Sequence, residues 1–120
     1  PMLRTSAGRA YLSFCGTEER ELILDHLRRL GDPADMLFLE PARLERMMGE
    51  TRAAGLALRD AGEFRAQTAS IAAPVLIDGA VAGCVSMIWI RTAMSTRKVL
   101  DSYGAPLVEL AGKIAAGLSA

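Results

Sequence analysis

The hairpin signal between Ser70 and Ile90, SIAAPVLIDGAVAGCVSMIWI, constrains the fold more than any other stretch of the sequence. Two apolar runs, Ser70–Ile77 and Val81–Ile90, flank the dipeptide Asp78-Gly79. This dipeptide between β-rich runs is a strong signal for a two-residue hairpin turn. Because both runs are almost continuously apolar, we expect the sheet to be covered on both faces.

Helical patterns lie on both sides of this hairpin. Capping residues, prolines and three-to-four-residue spacing predict four helices, with the approximate bounds Ser6–Phe14, Glu18–Leu30 after a Thr17 N-cap, Pro41 to the residue before Gly55, and Ser95–Leu118. Gly104 and Pro106 predict a break or kink in the last helix. We expect a loop at residues 31–33, a short strand at Leu56–Arg59 and a polar connection at Asp60–Gln67. Two or three antiparallel strands cannot cover four helices well. We therefore expect further strands to come from another protomer or from an absent N-terminal portion.

Length and charge limit the possible classes of function. The chain has 120 residues, enough for one domain, with 14 basic and 14 acidic residues. This balance gives no general attraction to nucleic acid or to an acidic membrane. No apolar run approaches the roughly 18 residues that span a bilayer, and the N-terminus lacks a secretory signal. Together with two isolated cysteines, these features predict a cytoplasmic protein with reduced thiols.

The residues that enzymes and metal sites need are sparse. The single histidine, His26, is expected to be half-buried on the second helix, remote in sequence from Ser70 and Ser86. The sequence has no GxSxG elbow, no P-loop and no clustered metal ligands. We therefore expect no catalysis, no cofactor and no metal.

Hydroxyl groups inside the hairpin are the more informative feature. Strand alternation places Thr68, Ser70 and Ala72 on one face of the first arm, and it places Cys84, Ser86, Ile88 and Ile90 on one face of the second. If these faces coincide, small residues, hydroxyls and aliphatic groups form the surface of a pocket for a small organic molecule with a polar end. Alternatively, each serine bonds a neighbouring backbone group.

Several segments resemble one known family. TSAGRAYLSF, the TEERE helix start, SIAAPVLIDGAVAGCVSM and the closing LVELAGKIAAGL helix are similar, in this order, to the effector-binding domain of IclR-type bacterial transcriptional regulators. The resemblance implies an α+β fold: a GAF-like domain fragment in which an antiparallel sheet, a short strand plus a long hairpin, packs with helices and the early strands are absent. Residues 1–120 would be the C-terminal portion of one effector-binding domain. Homodimers or tetramers would reach DNA only through a winged helix-turn-helix that this chain does not contain.

The resemblance also implies an effector site for a small organic acid. Its residues at the matching positions would be Ser6, Ala7, Gly8, Asp60, Ser70, Ser86 and Ile88. The backbone N–H groups of residues 6–8 would bind the anion at the helix start. Ser70 stands where many members have a cysteine. Ile88 stands where a serine is frequent, which implies a less polar pocket and a ligand with an apolar or aromatic portion.

The segment MIWIRTAMS departs from the usual small, glycine-containing stretch and resembles the branch that activates catabolism of hydroxyphenylpropionate and related aromatic acids. In this segment we expect Trp89 to pack or to lie at the pocket rim. Arg91 is either a carboxylate partner or an exposed strand-end residue.

Three hypotheses follow from the sequence. The first is a ligand-sensing, oligomerising domain of a transcriptional regulator. The second is a GAF-like or profilin-like interaction module, in which the hairpin completes a shared sheet and no metabolite binds. The third is a small hydrolase that uses Ser86 or Cys84.

Overall fold

Three antiparallel strands lie at the centre of the fold, and helices pack against both faces. The computed structural model describes residues 2–60 and 67–119, so most of the predicted polar connection lies outside the described residues. After a 3₁₀ turn at Met2–Arg4, the elements are α1 (Ser6–Phe14), α2 (Thr17–Leu30), α3 (Pro33–Phe38), α4 (Pro41–Ala54), β1 (Ala57–Arg59), β2 (Thr68–Ile77), β3 (Ala80–Ile90), α5 (Thr96–Val99), a π-helical segment (Leu100–Gly104) and α6 (Ala105–Ser119).

The sheet has the strand order β1-β2-β3, and its hairpin is the predicted one. Asp78 and Gly79 have φ angles of 51° and 79°. Two successive positive φ angles are what the right-handed strand twist requires of a two-residue turn. The pairing is Ser70 with Ile88 and Ala72 with Ser86, with a register irregularity at Val75/Leu76. The predicted mixed fold with one antiparallel sheet is therefore confirmed.

Each face of the sheet carries its own core. On one face, α5 and α6 cover alternate residues of β2, and this cluster contains Ala69, Ile71, Ala73, Val75, Trp89, Val99, Leu107 and Ala111. On the other face α1 lies across the strands through small side chains, with Ala10 packed on Ala57 and Ala72. The remaining helices bury leucines behind α1, including Leu12, Leu24 and Leu44. The serines of the hairpin lie on the α1 face.

Two predictions about burial were wrong, and one short helix was not predicted. The second arm is not covered on both faces, because most of β3 is exposed or half-buried. His26 is exposed on α2. The short helix α3 was not predicted; it begins at Pro33, the last residue of the predicted loop 31–33. Its N-cap is Asp32, whose side chain accepts a hydrogen bond from the Ala34 N–H. This capping signal is present in the sequence, but six residues are too few to show a periodicity.

The interruption predicted in the last helix is a change of winding. The π-helical segment Leu100–Gly104 ends just before Pro106. In a regular α-helix the proline ring would clash with the carbonyl four residues earlier. The wider π turn relieves this clash, so the chain continues into α6 without a loop.

Gly8 sets how closely the 3₁₀ turn approaches α1. A Cβ atom built at Gly8 would overlap the backbone carbonyl of Met2. A backbone atom cannot rotate away as a flexible side chain can, so the turn itself would have to move. By contrast, a Cβ at Gly49 of α4 meets no atom within 4 Å.

We predict that Gly8→Ala lowers the free energy of unfolding by about 1–3 kcal/mol or more, as overpacking does. The matched control Gly49→Ala should raise it by about 0.5–1 kcal/mol, because alanine favours a helix interior. Urea denaturation of both variants measures the difference. Equal stability of the two variants would contradict the close approach at Gly8.

Candidate functional site

The register of the hairpin brings the predicted site residues of both arms to one face. Ser70 and Ile88 are directly paired, as are Ala72 and Ser86, and residues paired across antiparallel strands share a face. The condition that the two hydroxyl-bearing faces coincide is therefore met. This face is the one on which α1 lies.

The start of α1 is bonded to the sheet through two hydroxyls. Ser6 Oγ lies 2.7 Å from Ser70 Oγ, and both side chains are buried. One residue later along α1, the Ala7 carbonyl accepts a weak hydrogen bond from Cys84 Sγ at 3.7 Å. The structure therefore does not show the alternative for Ser70, in which its hydroxyl bonds a neighbouring backbone group. Ser70 bonds another element.

Arg59 is the residue of this cluster that the sequence analysis missed. It is 3% exposed, and its Nε donates to Ser70 Oγ at 3.2 Å. Its two other guanidinium nitrogens donate to the carbonyl and the hydroxyl of Thr68, at 2.9 and 3.0 Å. Arg59 is paired with Ser70 across β1 and β2. That pairing joins residues across the polar connection, and no local pattern in the sequence predicts it.

The N-cap of α1 bonds one of the backbone N–H donors in the first turn of the helix. Thr5 is the N-cap, and its hydroxyl accepts from the Gly8 N–H at 3.0 Å. The N–H groups of Ser6 and Ala7 belong to the same first turn and are not used by this cap. An anion at this helix start would therefore meet residues 6 and 7 first.

Ser86 and Ile88 form an open floor beside this helix start. Both are exposed on β3, Ile88 to 67%. Among the described strands, β3 pairs on one side only, with β2. A ligand lying on this floor would contact an aliphatic side chain and a hydroxyl while its polar end reached the start of α1.

Asp60 lies apart from this cluster. Its carboxylate accepts from the Thr96 hydroxyl at 2.7 Å, and Thr96 begins the helical segment on the opposite face of the sheet. Asp60 and Arg91 both line a cavity of about 730 Å³ at the end of β3. The structure therefore joins Ser6 to Ser70, places Ser86 and Ile88 beside them, and separates Asp60.

The described residues offer little chemistry beyond binding. They contain no group of three or more side chains suited to hold a metal ion. Burial raises the pKa of the Cys84 thiol, which is the opposite of what a nucleophile needs. Tyr11 donates to Glu19, and this hydrogen bond raises the pKa of its phenol. Within residues 2–60 and 67–119, no helix is both long and apolar enough to cross a bilayer.

Comparison with known proteins identifies the class of this domain. Residues 1–116 match the family described as bacterial transcriptional regulator IclR C-terminal. The chain belongs to this family, so the resemblance seen in the sequence is confirmed at the level of the family. A family of transcriptional regulators also agrees with the prediction that the chain is not an enzyme.

Solved structures share the fold. An IclR family transcriptional regulator from Brucella abortus matches with a TM-score of 0.78 and 24% identity, over 98% of this chain and 43% of that one. The C-terminal domain of the E. coli transcriptional regulator KdgR matches with a TM-score of 0.77 and 22% identity, over 100% and 72% of the two chains. The IclR protein of Thermotoga maritima matches with a TM-score of 0.79 and 20% identity, over 99% and 47%. The chain thus spans less than half the length of the Brucella and Thermotoga proteins.

We predict that Cys84 alkylates slowly with iodoacetamide at neutral pH. The thiolate is the reactive form, and burial shifts the Cys84 pKa upward from 9.0, so the thiolate is scarce below that pH. The rate should rise only at a pH above about 9 when it is followed by mass spectrometry in a Cys15→Ala variant, which leaves one of the two thiols. Fast alkylation with a midpoint below about 8 would instead indicate an activated thiol and would revive the hydrolase hypothesis.

Proposed function

We propose that this chain is the ligand-sensing and oligomerising part of an IclR-type regulator, and that it binds a small organic acid. The observation that supports this best is the buried bond between Ser6 of α1 and Ser70 of β2, with Arg59 behind it and the open floor of Ser86 and Ile88 beside it. Buried polar groups that join a helix start to a sheet, next to an exposed surface, are suited to recognising the charged end of a ligand.

The carboxylate would bind at Ser6, Ala7 and Gly8, with the Ser70 and Ser86 hydroxyls as further partners. Negative charge is favoured there, because the first turn of a helix carries partial positive charge and N–H donors. Gly8 would contribute least, since its N–H already donates to Thr5. Asp60 is the least supported member of the proposed set, because it bonds Thr96 on the opposite side of the sheet.

The other end of the ligand would be apolar. Ile88 and Ile90 are 67% and 59% exposed on the α1 face, and they offer an aliphatic surface rather than further hydroxyls. An aromatic ring would gain by covering this surface. We therefore propose an aromatic acid as the effector and a place in the branch that includes the hydroxyphenylpropionate activators.

Regulation would act through assembly. We propose a homodimer or tetramer in the cytoplasm, with DNA bound only by a winged helix-turn-helix domain outside this chain. A ligand that has a different affinity for two arrangements of the oligomer would change the relative position of those DNA readers.

A second candidate function is an interaction module without a metabolite. The exposed strand β3, with a single partner strand among those described, favours it. An unpaired strand edge can accept a strand from another chain. The first experiment below separates the two.

We predict that small carboxylates, from glyoxylate and pyruvate to hydroxyphenylpropionate, include one that stabilises the protein in a thermal-shift screen. At about 100 times its dissociation constant a ligand adds about 2.7 kcal/mol, which is several degrees in Tm for a domain of this size. The shift should saturate and should be smaller with the uncharged amide of the same acid at the same concentration. Folded protein that shows no shift with any of these acids would favour the interaction module.

We also predict that Ser86→Val weakens binding of the stabilising acid by about 1–3 kcal/mol, because it removes one hydrogen bond to the ligand. The matched control Ser102→Val removes an exposed hydroxyl from the helical segment on the opposite face and should leave the affinity unchanged. Titration calorimetry of both variants measures the loss. An unchanged affinity of the Ser86 variant would remove this residue from the site.

A further inference from the structure

We infer that Arg59 makes this site selective for an anionic ligand, and that it acts through Ser70 and Ser6 as a relay of hydrogen bonds. The inference rests on the proposed effector function and adds a positioning residue to it. Arg59 is in none of the positions that the family resemblance marks. Its role follows from two linked hydrogen bonds, one between Arg59 and Ser70 and one between Ser70 and Ser6.

The direction of the first bond is fixed by chemistry. A guanidinium has only N–H donors, so Arg59 Nε donates and Ser70 Oγ accepts, at 3.2 Å. The Ser70 and Ser6 hydroxyls together carry two hydrogens. The 2.7 Å bond between their oxygens uses one of them, whichever serine donates.

Within the described residues, one hydroxyl hydrogen is therefore left over. Among the hydrogen bonds of the described residues, none takes this second hydrogen. Both serines are buried, to 2% and 3% exposure, and a buried hydroxyl without an acceptor is costly. In the described part of the chain, the relay that begins on a permanent cation thus ends in an unused donor at the junction of α1 and the sheet.

A carboxylate meets this donor better than a neutral group does. An ionised carboxylate is an acceptor only, and the charge of Arg59, two hydrogen bonds away, favours it further. A primary amide has the same shape, but it has donors of its own and no charge. The relay should therefore discriminate between an acid and its amide.

Two other charged side chains of the described residues, Arg9 and Asp60, have partners of their own. Arg9 donates to the Leu3 and Leu58 carbonyls and lies 5.0 Å from the centre of the Phe38 ring. Asp60 bonds Thr96 on the far side of the sheet. Among the described residues, Arg59 is the charged side chain that bonds directly to the serine pair.

The experiment compares two probes, 3-(3-hydroxyphenyl)propionate and its primary amide, by titration calorimetry. Wild-type protein should bind the acid more tightly than the amide. Arg59→Gln should weaken the affinity for the acid by about tenfold or more, because a nearby buried charge is lost. The same substitution should change the affinity for the amide by less than about twofold. Arg59→Lys keeps the charge and should keep most of the preference for the acid. The control Arg97→Gln removes an exposed charge on α5 and should change neither the affinity for the acid nor that for the amide.

The outcomes separate this inference from the proposed function. If wild-type protein binds neither probe, the proposed aromatic-acid site is wrong and the relay is wrong with it. One contrary result is that wild-type protein binds the acid and the amide with equal affinity, and another is that Arg59→Gln weakens the binding of both probes by the same factor. Either result would overturn the relay and leave the proposed effector site in place. If Arg59→Gln does not fold, Ser70→Ala interrupts the relay while Arg59 remains, and an unchanged acid-to-amide ratio in that variant would equally overturn it.

Discussion

The burial of Arg59 within the sheet is the constraint on which the rest of the site depends. Removing a guanidinium from water costs several kcal/mol unless hydrogen bonds replace its hydration. Here the replacement comes from Thr68 and Ser70, two alternate residues of β2. Because β1 has only three residues, these side-chain bonds add to its few backbone bonds in fixing where it pairs. The same guanidinium holds Ser70, which in turn holds the start of α1. Strand register and helix position are therefore set by one connected group of polar atoms.

The approach of α1 to the sheet is possible because its contact surface is small. Ala10 meets Ala57 and Ala72, and Gly8 leaves room for the carbonyl of Met2. A larger residue at these positions would lift the helix and lengthen the 2.7 Å bond between Ser6 and Ser70. The packing of α1 and the hydrogen bonds of the candidate site are thus not independent of each other. The small residues that close the core are also those that bring the hydroxyls within hydrogen-bonding distance.

The sequence predicted the parts of this structure that depend on neighbours in the chain. The turn at Asp78-Gly79, the bounds of α1 and the strand faces that carry Ser70 and Ser86 all follow from local conformation and strand alternation. The position of Arg59 beside Ser70 could not be predicted in this way, because it depends on the pairing of β1 with β2 across the polar connection. The exposure of β3 could not be predicted from the sequence pattern either. Leu110 and Leu118 belong to the three-to-four-residue apolar spacing that predicts the last helix, yet they are 46% and 63% exposed. Periodicity shows which residues share a face, but it does not show what covers that face.

The openness of the floor bears on how strongly the buried charge can act. A carboxylate bonded at the start of α1 but otherwise in water would be screened, and Arg59 would contribute little to its binding. The same carboxylate under a cover that excludes water would interact with Arg59 several times more strongly. Ser86 and Ile88 are exposed in the described structure, so any cover must come from the ligand itself, from another protomer or from residues outside those described. A ligand with an aromatic ring would cover the floor in part and would strengthen its own charge interaction by doing so. The apolar and the anionic parts of such a ligand would then contribute more together than the sum of each alone.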